Sequence, residues 1–246
     1  MSALGDSVRL ILRYKVPAHA QSPIYDLAPA SRIGRGSKRD CYPHPDHTHL
    51  CVKVARRPHR PSAQQASIVE WFCARSLDKR GVDGTHRARC LGWVATNYGP
   101  GLVAERIYND DGTPATTLYD AHMADGLCPE QIRRLFGELK TWVVTHGVPI
   151  TDLNPGNLLV QRRDDTLSLV LVDGIGGQKV KFKFVLYRRF VWFARAMSRR
   201  RWARLQRNAE RELYQSSTAA GPNEYSEGTA GPTEDALHAS PARLLD

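Results

Sequence analysis

The chain has 246 residues, 41% apolar and 24% charged, enough for one domain or two small lobes around a cleft, and a composition that excludes collagen-like, wholly disordered and coiled-coil classes. The net charge is +10, yet residues 179–207 carry three Lys and eight Arg with no Asp or Glu, which leaves the remainder at −1 and argues against a globally nucleic-acid-binding protein. No apolar run approaches the roughly 18 residues of a spanning helix. The start of the chain lacks the pattern of an export signal, and the five cysteines, an odd set without C-x-x-C spacing, fit free thiols, so a cytoplasmic protein is expected.

In chain order, residues 1–30 read as a lead-in, with strand character over 7–16 and then Pro17, Pro23 and Pro29 as punctuation. Strands and turns follow: Gly34-Arg35-Gly36 reads as a flexible turn and residues 50–54 as a short strand. Residues 67–79 read as a helix closed by Gly81, with Ile68, Phe72 and Leu77 on its apolar side. Residues 91–95 and 102–107 read as two strands around an Asn97-Tyr98-Gly99-Pro100 turn. The strongest helix runs over 129–146. Pro129 suits its first turn, Gly147 ends it, and its buried stripe is Ile132, Leu135, Phe136, Leu139, Trp142 and Val143. A last helix over 186–208 carries the basic segment. Leu186, Phe190, Phe193 and Met197 would dock it on the body, turning Arg188, Arg195, Arg199 and Arg201 outward, with Trp192 and Trp202 suited to an interface. The tail from about residue 215 has the composition of a disordered segment.

The chemistry concentrates in Ile150-Thr151-Asp152-Leu153-Asn154-Pro155-Gly156-Asn157 and in Val172-Asp173-Gly174. Two apolar runs flank the polar residues 162–166 and suggest an antiparallel hairpin. Centred on residue 165, that hairpin sets Asn157 opposite Asp173, with Cβ atoms about 5 Å apart. The two would then share a divalent cation, since Mg²⁺ takes a few protein oxygens plus phosphate and water. Asp152 on the approach loop is placed to receive or orient the proton of an attacking hydroxyl. Upstream, Gly34 and Gly36 let backbone approach phosphates, and Lys53 interrupts an apolar strand, where an ammonium needs an anionic partner such as Glu70. Each of these has a plain structural alternative: Asp and Asn cap their own turns, and Lys53 with Glu70 could be a structural ion pair. His44, His47 and His49 between Cys41 and Cys51 match no common zinc spacing and lack a second paired set of ligands.

The order of Gly-turn, strand Lys, helix Glu, loop Asp, Asn and then Asp-Gly resembles the protein-kinase-like superfamily. More closely, the chain resembles the bacterial PhoP regulatory network protein YrbL family over residues 30–210. The resemblance rests on Ile33-Gly34-Arg35-Gly36 with Arg39, Cys41-Tyr42-Pro43-His44-Pro45, Cys51-Val52-Lys53-Val54, the Asp-Leu-Asn-Pro-x-Asn stretch, Asp173-Gly174-Ile175-Gly176 and the Arg-rich segment. It implies an α+β, kinase-like bilobal fold with a reduced C-terminal lobe. The lead-in would span 1–30, an N-lobe 31–108, a reduced C-lobe 109–213 and a disordered tail 214–246. It also implies ATP and Mg²⁺ as cofactors. Lys53 would meet the α/β-phosphates and Glu70 would position Lys53. Asp152 would stand in the catalytic-base position, Asn157 and Asp173 would bind metal, and residues 102–107 would lead into an adenine-holding hinge. Ile150 and Thr151 replace the His and Arg of the catalytic motif, Asn154 replaces its Lys, and no Phe follows Asp173. The leading expectation is phosphate transfer from ATP to a hydroxyl acceptor. Beside it stand a pseudokinase used as a regulatory binding module, and an adaptor whose residues 179–207 meet an anionic membrane surface at the inner face or an acidic protein, with specific nucleic-acid binding not expected.

Overall fold

The computed structural model describes residue 16 and residues 24–58, 60, 62–177, 179, 186–187 and 189–219. Apart from Val16, the strand expected over 7–16 lies outside these residues, as do residues 220–246 of the expected tail and, within the basic segment, residues 180–185 and 188.

The first layer is a six-stranded sheet built from β1 (Ile24–Tyr25), β2 (Gly34–Arg35), β3 (Arg39–Pro43), β4 (Leu50–Ala55), β5 (Cys90–Thr96) and β6 (Gly99–Glu105), in the order β1-β5-β6-β4-β3-β2. All pairings are antiparallel except β1 with β5. Strand β4 lies between β3 and β6 with all six residues buried, which is why it reads as a nearly unbroken apolar run. Its alternation sends Val52 and Val54 to one face with Leu27 and Tyr42, and Lys53 to the other. Helix α1 (Gln65–Lys79) covers that second face, with Ile68, Val69 and Cys73 packed on Cys90, Trp93 and Leu102.

Below it, β7 (Thr116–Thr117), β8 (Leu158–Arg163) and β9 (Thr166–Leu171) form a three-stranded sheet, packed with α2 (Leu118–Asp125), α3 (Pro129–His146) and α4 (Val191–Ala219). Helix α3 follows its sequence signals closely. Pro129 is in the first turn, the Gln131 side chain accepts from the Cys128 amide at 2.9 Å, the predicted stripe is buried, and Gly147 closes the helix in the left-handed conformation. Helix α2 and strand β7 carry no signal strong enough to be read from the sequence. The helix is eight residues long and starts from a Thr117 cap, whose hydroxyl accepts from the Asp120 amide. The result is the α+β, two-lobed architecture that the resemblance implies, and Ile175 packs against the cores of both layers.

Three sequence readings are corrected. Gly34 is not part of a turn; it is a β2 residue paired with Cys41, and the turn is carried by Gly36, whose amide donates to the Arg39 carbonyl at 2.8 Å. The β8–β9 hairpin closes through a two-residue loop, Arg163 opposite Thr166, with Asp164 at φ 48°, so Asn157 faces Val172 and not Asp173. Polar residues at the hairpin tip belong to the strands because that end is exposed, and the one-residue difference changes which side chains oppose each other. Finally, α4 packs through Ala194, Ser198, Trp202, Ala209 and Leu213. The expected face from Leu186 to Met197 is rotated by about one residue, roughly 100°. The helix continues to Ala219, into the expected disordered tail.

Trp202 is therefore a core residue, 2% exposed, whereas Trp192 is 68% exposed. Trp202→Ala should cost about 3–5 kcal/mol in urea unfolding, and Trp192→Ala should stay within about 0.5 kcal/mol of the parent.

Candidate functional site

The site is built where β3, β4, α1 and the chain after β9 converge. Lys53 lies on the α1 side of β4, and its Nζ donates to Glu70 Oε1 at 2.6 Å and to the Val172 carbonyl at 2.5 Å. Glu70 sits in the buried face of α1. Arg39, on β3 and 7% exposed, places NH1 2.6 Å from Glu70 Oε2 and NH2 2.7 Å from Asp173 Oδ2. Two cations and two carboxylates thus close one continuous network, in which the charges sum to zero.

The electrostatics follow. Burial works against the ammonium of Lys53, but Glu70 outweighs it and holds Lys53 charged beyond its ordinary range. Arg39 is treated the same way: burial opposes its charge, and Glu70 and Asp173 more than compensate. For Asp173, burial would raise the carboxyl, yet the Arg39 and Lys53 charges and the Gly174 amide hold it down at about 2. Cys90, beside Glu70, has its thiol pushed well up by burial and by that carboxylate, so it stays protonated.

The second half of the site is the loop from Ile150 to Asn157. It is tied to the Asp173 turn by an Ile150–Ile175 bridge and by the Thr151 amide donating to the Gly174 carbonyl at 2.9 Å. Gly174 has φ 89°, and a Cβ there would collide with the Asp152 carbonyl oxygen, so only glycine lets the two loops approach this closely. Asp152 is exposed, and its carboxylate makes no hydrogen bond or ion pair among the described residues. Asn154 caps the short Pro155–Asn157 turn by accepting from the Gly156 amide, and its Nδ2 donates to Glu212 Oε1 on α4 at 2.6 Å. The Asn157 backbone bonds Asn154 and Val172, and its side-chain amide has no hydrogen-bond partner among the described residues.

Of the residues singled out in the sequence, Lys53 and Glu70 meet through their side chains, and Asp173 is linked to Glu70 through Arg39, which bonds both carboxylates. Asp152 joins them through backbone contacts. Asn157 is half-buried in the adjoining turn, out of the register that would oppose it to Asp173, and Gly34 lies within a sheet. The donor pair of one carboxylate and one carboxamide is the hard-oxygen kind that Mg²⁺ takes, with Arg39 already bonded to Asp173 Oδ2 beside it. The residue whose function the sequence did not reveal is Arg39. Its signal was parity: Arg39 and Cys41 alternate on β3, Cys41 pairs with Lys53, and so Arg39 shares the Lys53 face. No group of three His, Cys, Asp or Glu side chains among the described residues is placed to hold a metal.

Because the Asp173 carboxylate lies below its unfolded value near 3.9, the stability it contributes is full above about pH 4 and is lost as pH falls through about 2. In Arg39→Gln its pKa should climb from about 2 toward that ordinary value, and the acid transition should begin at higher pH. Carboxyl ¹³C NMR of Asp173 and near-UV circular dichroism from neutral to acid pH check both.

With this geometry in hand, comparisons place the chain among known proteins. The family described as PhoP regulatory network protein YrbL matches residues 25–210. Protein YrbL of Escherichia coli (strain K12) is 28% identical over 162 residues, 61% of this chain and 72% of that protein. The YrbL protein of Shigella flexneri matches to the same extent. Among solved structures, Rad53 1-466 in complex with AMP-PNP aligns with a TM-score of 0.40 and 17% identity, over 58% of this chain and 36% of that one, so the chain spans about a third of its length.

Proposed function

The chain belongs to the PhoP regulatory network protein YrbL family, and from that premise we propose that its cleft binds ATP with Mg²⁺ and transfers the γ-phosphoryl group to a hydroxyl acceptor. The observation that carries the reading is the Lys53–Glu70–Asp173 arrangement, in which Lys53 bonds Glu70 and the Val172 carbonyl and Arg39 links Glu70 to Asp173. A lysine held charged by a buried glutamate is a fixed cation for α/β-phosphate oxygens. Asp173 and Asn157 would hold the metal, which supplies charge neutralisation on the phosphates.

In the proposed transfer a bond forms between the acceptor oxygen and the γ-phosphorus, and the bond from that phosphorus to the β,γ-bridging oxygen breaks, releasing ADP. The acceptor proton goes to the exposed carboxylate of Asp152, which no protein partner among the described residues occupies. The Gly174 approach fixes the distance between the Asp152 loop and the Asp173 turn, so that positioning is supplied by the backbone.

A second reading is supported by two specific contacts. Arg39 holds the Asp173 oxygen that a metal needs, and Asn154 is bonded to Glu212 on α4. Both favour a pseudokinase, a binding module that keeps the cleft and lacks turnover.

Calorimetric titration with ATP, with and without Mg²⁺, tests the choice. Metal-dependent binding should weaken by at least about tenfold, or ~1.4 kcal/mol, in Lys53→Ala and in Asp173→Ala. Nucleotide binding without release of ADP in a parallel turnover assay would select the pseudokinase, and absence of binding at millimolar ATP would end the nucleotide reading altogether.

A further inference from the structure

Helix α4 has two faces of different character. At 100° per residue, Ala194, Ser198, Trp202, Ala209 and Leu213 fall within an arc of about 100°, and all are buried against the body. On the opposite side Arg199, Arg200, Arg204, Arg207 and Arg211 fall within an arc of about 140° and run for roughly 18 Å along the axis. All five are exposed, and four of them, Arg200, Arg204, Arg207 and Arg211, stand at i, i+4, i+7 and i+11, the spacing that ordinarily carries a core stripe.

These five guanidinium groups make no ion pair or hydrogen bond among the described residues. The only acidic side chains in the helix are directed elsewhere: Glu210 accepts from Gln206 at 2.8 Å, and Glu212 from Asn154. Arg195, exposed as expected, donates to the Thr145 carbonyl at the end of α3 and lies outside the stripe. The outer stripe therefore stacks like charges three and four residues apart with no internal compensation, an arrangement that weakens an isolated helix. An anionic partner is what would relieve it.

The kind of anion follows from what lies beside the charge. Trp192 projects from the same arc at the start of the helix, 68% exposed, next to Phe190 at 38%. Ala196 and Ala203, both exposed, keep the space between arginine rows shallow. A bilayer with anionic headgroups offers phosphates for the arginines and an interfacial layer in which aromatic rings settle. A nucleic-acid duplex offers phosphates in a line but no apolar layer for Trp192. No described helix is long and apolar enough to cross a membrane, so the contact is one of lying on the surface.

We infer that the outer face of α4, with Arg199, Arg200, Arg204, Arg207 and Arg211 as the charged stripe and Trp192 as the apolar anchor, docks on an anionic membrane surface. The docking needs nothing from the cleft and holds or fails independently of nucleotide binding.

The test is sedimentation of the full chain with phosphatidylcholine vesicles with and without phosphatidylglycerol. Binding should require phosphatidylglycerol and fall steeply with added salt. The triple variant Arg200→Gln, Arg204→Gln, Arg207→Gln should bind about tenfold more weakly or worse, and Trp192→Ser should lose a further severalfold at fixed charge. Circular dichroism and thermal melting verify that each variant is folded. If the triple variant unfolds, the single Arg204→Gln and the salt titration of the parent carry the test. Absence of sedimentation with phosphatidylglycerol vesicles overturns the inference. So does tighter binding to duplex DNA than to vesicles with Trp192→Ser having no effect, which would make nucleic acid the occupant.

Discussion

The charge network of Arg39, Lys53, Glu70 and Asp173 is the constraint on which the site depends. Removing an ion from water costs several kcal/mol even after relaxation, so a buried Lys or Arg on a sheet face must find its counterion or the face cannot close. Here β4 carries Lys53, β3 carries Arg39, and α1 answers both with the two oxygens of Glu70. The helix is thereby keyed to the sheet at one point along its length, and apolar packing of Ile68, Val69 and Cys73 only has to hold it there. Arg39 then reaches across to Asp173, and Lys53 to the Val172 carbonyl, so the same network ties the upper layer to the lower one.

That tie has a chemical consequence. A carboxylate oxygen bonded to a buried guanidinium is a weaker donor to a cation, so a metal at Asp173 would share that carboxylate with Arg39. The network holds the site together, and a change that drew Arg39 away would alter both the charge around Asp173 and the connection between layers. The loop carrying Asp152 responds through Gly174, whose missing side chain is what lets the two segments touch.

Helix α4 joins this arrangement from outside. Its inner face completes the lower core through Trp202 and Leu213, and Glu212 fixes Asn154 in the loop beside Asp152. Its outer face carries five exposed arginines. One helix therefore bears core packing, a hydrogen-bonded tie to the loop that carries Asp152 and a stripe of exposed arginines, with the three separated by direction around its axis.

Periodicity and local chemistry by themselves determined helix α3, the neighbouring strands β5 and β6, and the placement of Lys53 on a buried strand, because these depend on interactions within a few residues. The apolar run Leu50-Cys51-Val52-Lys53-Val54 with its single ammonium, and the Pro129 and Gly147 boundaries, needed no partner to be read. The order of Lys53, Glu70, Asp152, Asn157 and Asp173 likewise pointed to one cleft. What only the tertiary structure decided were relations of register and rotation. A two-residue loop in place of a longer one moved Asn157 from Asp173 to Val172, since pairing is counted from the turn and each residue of slip exchanges neighbours. A rotation of about 100° in α4 took Trp202 inward and left the arginine stripe outside, because a helix rich in both Arg and aromatics offers two plausible faces and the body it packs on selects between them. Arg39 was unreadable for the same reason. Its counterions lie 31 and 134 residues away in the sequence, and only the closure of sheet, helix and loop brings their charges together.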